Sequence, residues 1–237
     1  MPPSAPGRRG RRARWQGALA GSMAQALRPA LESLQEGLAG LRGAGLESDP
    51  RAAGACAHLR RGVEHLEAAL AGMAASGPAG PAAAALLDFN GLLAELRPWA
   101  ETTLGPGIQL RLELAPELPQ LPLPRSRLEP LVMNLLLNAR DALNGSGEIR
   151  IRTGLPDGPD GIPGRPPLVY LEVQDDGPGI PPRVQERMFE PFFSTRPGRL
   201  GLGLAVVRGI AESCGGTVQV RTGVLSGAAL RVTLPAG

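Results

Sequence analysis

The chain predicts an α+β protein built in two parts, an antiparallel helical hairpin followed by a two-layer α/β sandwich. Three observations carry that prediction. Leucine-rich heptads run through the N-terminal third, strand-like and helix-like periods alternate from Leu87 onward, and a stretch of glycine, proline and alanine separates the two regions. The 237 residues accommodate one hairpin and one domain of about 150 residues. That leaves no length for a sensor domain, so an input signal is expected from a partner or from a lost segment.

Residues 1–14 are rich in proline, glycine and arginine and are read as a disordered, solubilising tail. Arg8, Arg9, Arg11, Arg12 and Arg14 more than account for the formal charge of +3, so the body is slightly acidic and no nucleic-acid partner is expected. The following WQGALAGSMA is too short and polar for the apolar region of a secretion signal. Residues 15–76 form the hairpin. Leu27, Leu31, Leu34, Leu38 and Leu41 step by four and three, and Leu59, Val63, Leu66, Leu70 and Met73 do the same, giving two heptad seams. A lone hairpin leaves an apolar stripe uncovered, so pairing with a second copy into a four-helix bundle, a homodimer, is expected.

Residues 77–86 are the linker, and 87–237 the sandwich. LDFNGLLAEL opens it as a short helix. Ile108 to Leu114 alternates as a strand, Ser126 to Leu143 reads as a helix, and strands at Glu148 to Thr153 and Leu168 to Gln174 flank a Pro/Gly-rich loop from Gly154 to Pro167. A helix from Gly203 to Ser213 and strands at Thr217 to Arg221 and Ala228 to Leu234 complete a mixed sheet covered on one face by helices. No run of 18 apolar residues occurs, so no membrane insertion is expected. Cys56 and Cys214 read as reduced thiols rather than a disulfide, and the location is expected to be cytoplasmic.

The chemistry concentrates in three segments. NLLLNARDAL, Asn134 to Leu143, places Asn134 and Asn138 four apart on one helix face with Asp141 beyond them. Amide oxygens suit a hard cation such as Mg²⁺. VQDDGPGI, Val173 to Ile180, ends a strand in a carboxylate and then supplies glycines for a tight turn and close ligand approach. Asp175 at the bottom of such a pocket can accept a hydrogen bond from an exocyclic amine such as that of adenine. The third segment, Arg187 to Gly216, runs a glycine-rich stretch into an amphipathic helix whose free N–H groups would face phosphate. Together they indicate ATP.

In the order and spacing of these boxes the chain resembles bacterial two-component sensor histidine kinases of the GHKL ATPase superfamily, over about Leu87 to Pro235. The N box, the first glycine box, the FEPFF box and the GLGL second glycine box all occur in sequence. The resemblance implies Mg²⁺ and ATP as cofactors. By it, Asn138 would hold the Mg²⁺, supported by Asn134 and Asp141. Asp175 would read adenine, with Gly177, Gly179 and Ile180 around the base. Thr195 and Arg196 would belong to the lid between Phe193 and Gly201, and Gly201, Leu202, Gly203 and Leu204 would cradle the phosphates. Relatives often carry a lysine where Arg196 stands; the arginine keeps the charge and adds a bidentate fork. They usually show glycine where this chain has Arg199, which implies a stiffer or differently shaped lid. Phe189, Phe192 and Phe193 are read as local core beneath that lid, with a docking surface for the hairpin as the alternative.

The resemblance breaks at the hairpin. A family member carries a phosphoacceptor histidine followed by an acid, an arginine or asparagine, and a proline, whereas this chain reads MAQALRPALESL. Aligning the arginine puts Gln25 at the acceptor position; aligning Pro29 puts Ala24 there. Neither can be phosphorylated, and the neighbouring general base is missing too. His58 and His65 lie off their seam on one common stripe and are read as solvated positions, with displaced acceptor as the lesser reading. Two turns, about 10 Å of rise, separate them, too far for a shared metal ion.

Two functions remain, sharing one ATP site. One is a histidine-kinase homologue that hydrolyses ATP or transfers its γ-phosphate to His58, His65 or a partner's histidine. The other is a regulatory pseudokinase whose nucleotide state is read by a response regulator receiver domain or a partner histidine kinase.

Overall fold

In a computed structural model of the protein, the described residues are 86–156, 166–196, 199, 201–221 and 227–237, with the isolated residues Glu36, Gly37, Ala39, Gly40, Gly43 and Val63. Those six are helical, and Val63, on the second seam, is buried. The seam leucines, Gln25, Cys56, His58 and His65 lie outside the described residues, as does most of the loop after Gly154.

The sandwich contains α1 (Phe89–Leu104), β1 (Ile108–Glu113), α2 (Arg125–Ala142), β2 (Gly147–Gly154), β3 (Leu168–Asp175), the single turn α3 (Pro182–Gln185), α4 (Gly203–Ser213), β4 (Thr217–Arg221) and β5 (Ala228–Pro235). The five strands form one sheet in the order β1-β2-β3-β5-β4, parallel between β1 and β2 and antiparallel elsewhere. The parallel pair is joined through α2, as a parallel connection requires a crossover.

Alternation decides which face of the sheet is dry. Ile149 and Ile151 on β2, Val169, Leu171 and Val173 on β3, and Leu230, Val232 and Leu234 on β5 are buried and join one core with the helices. The opposite face is polar: Glu172 accepts hydrogen bonds from Arg152 at 3.3 Å and from Arg231 at 2.8 Å across neighbouring strands. Helix α2 is the middle helix of the layer that covers the sheet, with Leu128, Leu131, Val132, Leu135 and Leu137 all fully buried. Arg127 ties it to the end of α4 through Ser213 Oγ at 3.1 Å, and Arg140 donates to Thr103 O at 3.2 Å in the last turn of α1.

Two expectations need correction. The opening helix is not short: it runs 16 residues and passes through Pro98. The proline removes one N–H, but Ala100 and Leu104 continue beyond it the buried stripe of Leu92, Leu93 and Leu96, and packing outweighs the local break. Leu87 stands outside that helix, bridged antiparallel to Leu121, and Asp88 caps the helix by accepting from the Gly91 N–H at 3.0 Å. The aromatic box also divides. Phe189 packs against the core and Phe193 is half-buried, but Phe192 is 71% exposed with a left-handed φ of 65°, so it is no part of a local core.

Candidate nucleotide site

A cavity of about 320 Å³ opens between α2, the turn after β3 and the start of α4. Its size falls in the range of small-molecule pockets. From α2 it receives Asn134, Asn138 and Asp141; from β3 and its turn, Asp175, Gly179 and Ile180; from the segment before α4, Thr195, Arg196 and Arg199; and from the start of α4, Gly201, Leu202, Gly203 and Leu204.

Asp175 sits at the end of β3 and is 5% exposed. Burial pushes its carboxyl above the usual carboxylate range, opposed by the backbone N–H groups of Gly177 and Ala228, raised further by Asp176, and lowered by Arg196. The next acid has a separate duty. Asp176 Oδ1 accepts from the Glu148 N–H at 2.8 Å and pins the turn to the start of β2.

Gly177 does not line the cavity. Its N–H donates to Asp175 Oδ1 at 3.0 Å, and a Cβ there would stand 2.8 Å from that oxygen and 3.1 Å from Ala142 O. Its part is to let the turn close beneath the carboxylate. Gly227, just before β5, permits close approach to the backbone of the same residue: its φ is 121° and a Cβ would meet Asp175 O at 2.1 Å.

On α2 the two asparagines are not equivalent. Asn134 is 2% exposed, its Nδ2 donates to Pro130 O at 2.8 Å within the helix, and its Oδ1 lies 3.1 Å from where a Gly203 Cβ would be. Asn138, one turn on, is half-buried at the cavity wall. Asp141 is engaged: Arg199 donates to its Oδ1 at 2.6 Å and Arg140 approaches the same oxygen at 3.5 Å. The sequence reading gave Asp141 only a supporting role on α2 and Arg199 only a stiffening one, so their pairing was not foreseen.

The start of α4 has Leu202 at its N-cap and no side-chain cap hydrogen bond, and both flanking glycines line the cavity. Its first N–H groups and helix dipole therefore favour an anion there. Gly201 has φ 66°, its carbonyl accepts the Phe192 N–H at 3.0 Å, and a Cβ would meet Phe193 O at 2.4 Å. Arg183, from α3, also lines the cavity. No motif singled it out, because a lone arginine after two prolines has no sequence signature.

The donor set fits a magnesium nucleotide. The cavity offers a buried carboxylate for an amine, arginines and an uncapped helix start for phosphate, and amide oxygens for a hard cation. Among the described residues no group of three His, Cys, Asp or Glu could hold a metal by itself. A cation here would share its coordination with the nucleotide, as Mg²⁺ usually does.

Comparison with known proteins agrees. Residues 124–237 match the family described as histidine kinase-, DNA gyrase B- and HSP90-like ATPase, and that part of the chain belongs to it. The individual proteins the chain is similar to are sensor and histidine kinases. It is similar to sensor kinase CckA of Brucella abortus, 34% identical over 159 residues that make up 63% of this chain and 17% of the relative. Among solved structures it is similar to full-length ShkA in complex with AMPPNP, with a TM-score of 0.57 and 25% identity over 89% of this chain and 45% of that one. The catalytic domain of histidine kinase ThkA gives a TM-score of 0.55 and 26% identity over 64% of this chain and 94% of that one. The chain spans less than a third of the curated relatives it is compared with, from 17% of CckA to 28% of the NtrB of Rhodobacter capsulatus.

Proposed function

We propose that the chain binds Mg-ATP in this cavity and works in two-component signal transduction without phosphorylating itself at the usual acceptor position. The observation that carries the reading is the convergence of Asp175, Asn138 and the uncapped start of α4 on one cavity. Asp175 accepts from the adenine amine, Asn138 supplies an oxygen ligand to Mg²⁺, and the N–H groups of α4 with Arg196 hold phosphate. Bound Mg²⁺ supplies charge neutralisation to the phosphates. The chain is expected to act in the cytoplasm as a homodimer joined through residues 15–76, with a receiver domain or a partner histidine kinase reading its state.

Gln25 at the acceptor position favours a second reading of the same site, a pseudokinase in which nucleotide binding alone is the signal. Incubation of the full chain with γ-labelled ATP and Mg²⁺, followed by acid-lability and mapping of the label, separates the two. Acid-labile label on His58, His65 or an added partner supports the transferase; bound ATP without label supports the pseudokinase. The pocket assignment is tested by titration calorimetry on Asn138→Ala and Asp175→Ala, each expected to abolish measurable ATP binding. Wild-type affinity in both would sink it.

A further inference from the structure

Arg199 differs from the other cavity arginines in being bonded to a carboxylate that lines the same cavity. Its guanidinium donates to Asp141 Oδ1 at 2.6 Å, and the Asp141 side chain is only 7% exposed against 22% for that of Arg199. Arg140, 9% exposed, approaches the same carboxylate oxygen from within α2 at 3.5 Å. One carboxylate thus faces two guanidinium groups. Transfer of Arg199 to another acceptor would leave Asp141 still beside Arg140, so no buried charge would be stranded by the exchange.

We propose that Arg199 is a phosphate-reading residue whose resting partner is Asp141, and that a phosphate oxygen of the bound nucleotide displaces Asp141 as the acceptor of its guanidinium. The proposal rests on the nucleotide reading of the cavity given above. An arginine fork matches phosphate at least as well as carboxylate, and a polyphosphate carries more charge than one carboxylate, so the exchange is favourable once phosphate is present. Arg199 and Asp141 then act on affinity in opposite directions. Arg199 adds to phosphate binding, whereas Asp141 competes for Arg199 and subtracts from it. Adenosine, lacking phosphate, feels neither.

The test is calorimetric titration of the full chain with adenosine, ADP and ATP in the presence of Mg²⁺, for wild type, Arg199→Gly, Arg199→Lys and Asp141→Asn. Arg199→Gly is expected to weaken ATP about 10- to 100-fold, the scale of a charge-assisted hydrogen bond, with adenosine unchanged. Arg199→Lys recovers part of the loss. Asp141→Asn is expected to strengthen ATP binding. A pair that only braces the fold predicts the same sign for both positions, so weaker ATP binding in Asp141→Asn, or a parallel loss of adenosine in Arg199→Gly, overturns the proposal. Wild-type protein that binds none of the three ligands overturns the nucleotide reading instead, and that is seen before any variant is made.

Discussion

At the scale of single residues, the site is held at a cost to stability that can be measured. The Asp175 carboxyl is raised by burial, so the folded chain favours its neutral form more than the unfolded chain does. Its favourable contribution is complete below the unfolded pKa and is lost as pH rises through the folded one. Wherever the carboxyl is ionised, its burial opposes folding relative to the neutral form. Asp175→Asn keeps an oxygen to accept the Gly177 N–H while removing the charge. It should raise the melting temperature at pH 7, with the difference from wild type shrinking toward pH 3, and should lose ATP binding. An equal or lower melting temperature at pH 7 would mean that the Gly177 and Ala228 N–H groups already compensate the burial.

At the scale of elements, the glycines around the start of α4 are not interchangeable. A Cβ on left-handed Gly201 would stand 2.4 Å from the Phe193 carbonyl oxygen, while one on helical Gly203 would meet the Asn134 amide oxygen at 3.1 Å. Gly201→Ala forces backbone apart and costs about 1–2 kcal/mol in φ alone, whereas at Gly203 a side chain can yield by a few tenths of an ångström. Nucleotide affinity should therefore fall further in Gly201→Ala than in Gly203→Ala, and the reverse order would show that the Asn134 contact is the rigid one. In the core, Leu135→Ala should cost about 2–5 kcal/mol in denaturant unfolding, since the side chain is fully buried on the central helix. These elements were legible because periodicity reports burial: the strands and α2 start and stop within a residue of the positions that strand alternation and helical spacing indicate. The full length of α1 was not legible, because packing, invisible in one sequence, carries the helix past Pro98. The Arg199 and Asp141 pair is set by tertiary folding across 58 positions, and no local pattern announces such a contact. The exposure of Phe192 is equally a tertiary fact, as the box alone does not say which ring faces water.

At the scale of the whole molecule, the two parts should respond differently to dilution. The sandwich has its own core, drawn from residues between Phe89 and Ala236. The hairpin expected over residues 15–76 would present seams that two helices alone cannot cover, so its stability should draw on a second copy. Light scattering at micromolar concentration should give about twice the chain mass of 24.6 kDa. Melting followed by circular dichroism should show a helical transition that moves to lower temperature on dilution, because dissociation is coupled to it by mass action. A second transition, belonging to the sandwich, should stay fixed on dilution and rise with added Mg-ATP, since ligand stabilises only the part that binds it. A monomeric chain would contradict the heptad reading. A single transition that responds to both dilution and nucleotide would mean that hairpin and sandwich melt as one unit, so that the nucleotide state is already coupled to the dimer before any partner reads it.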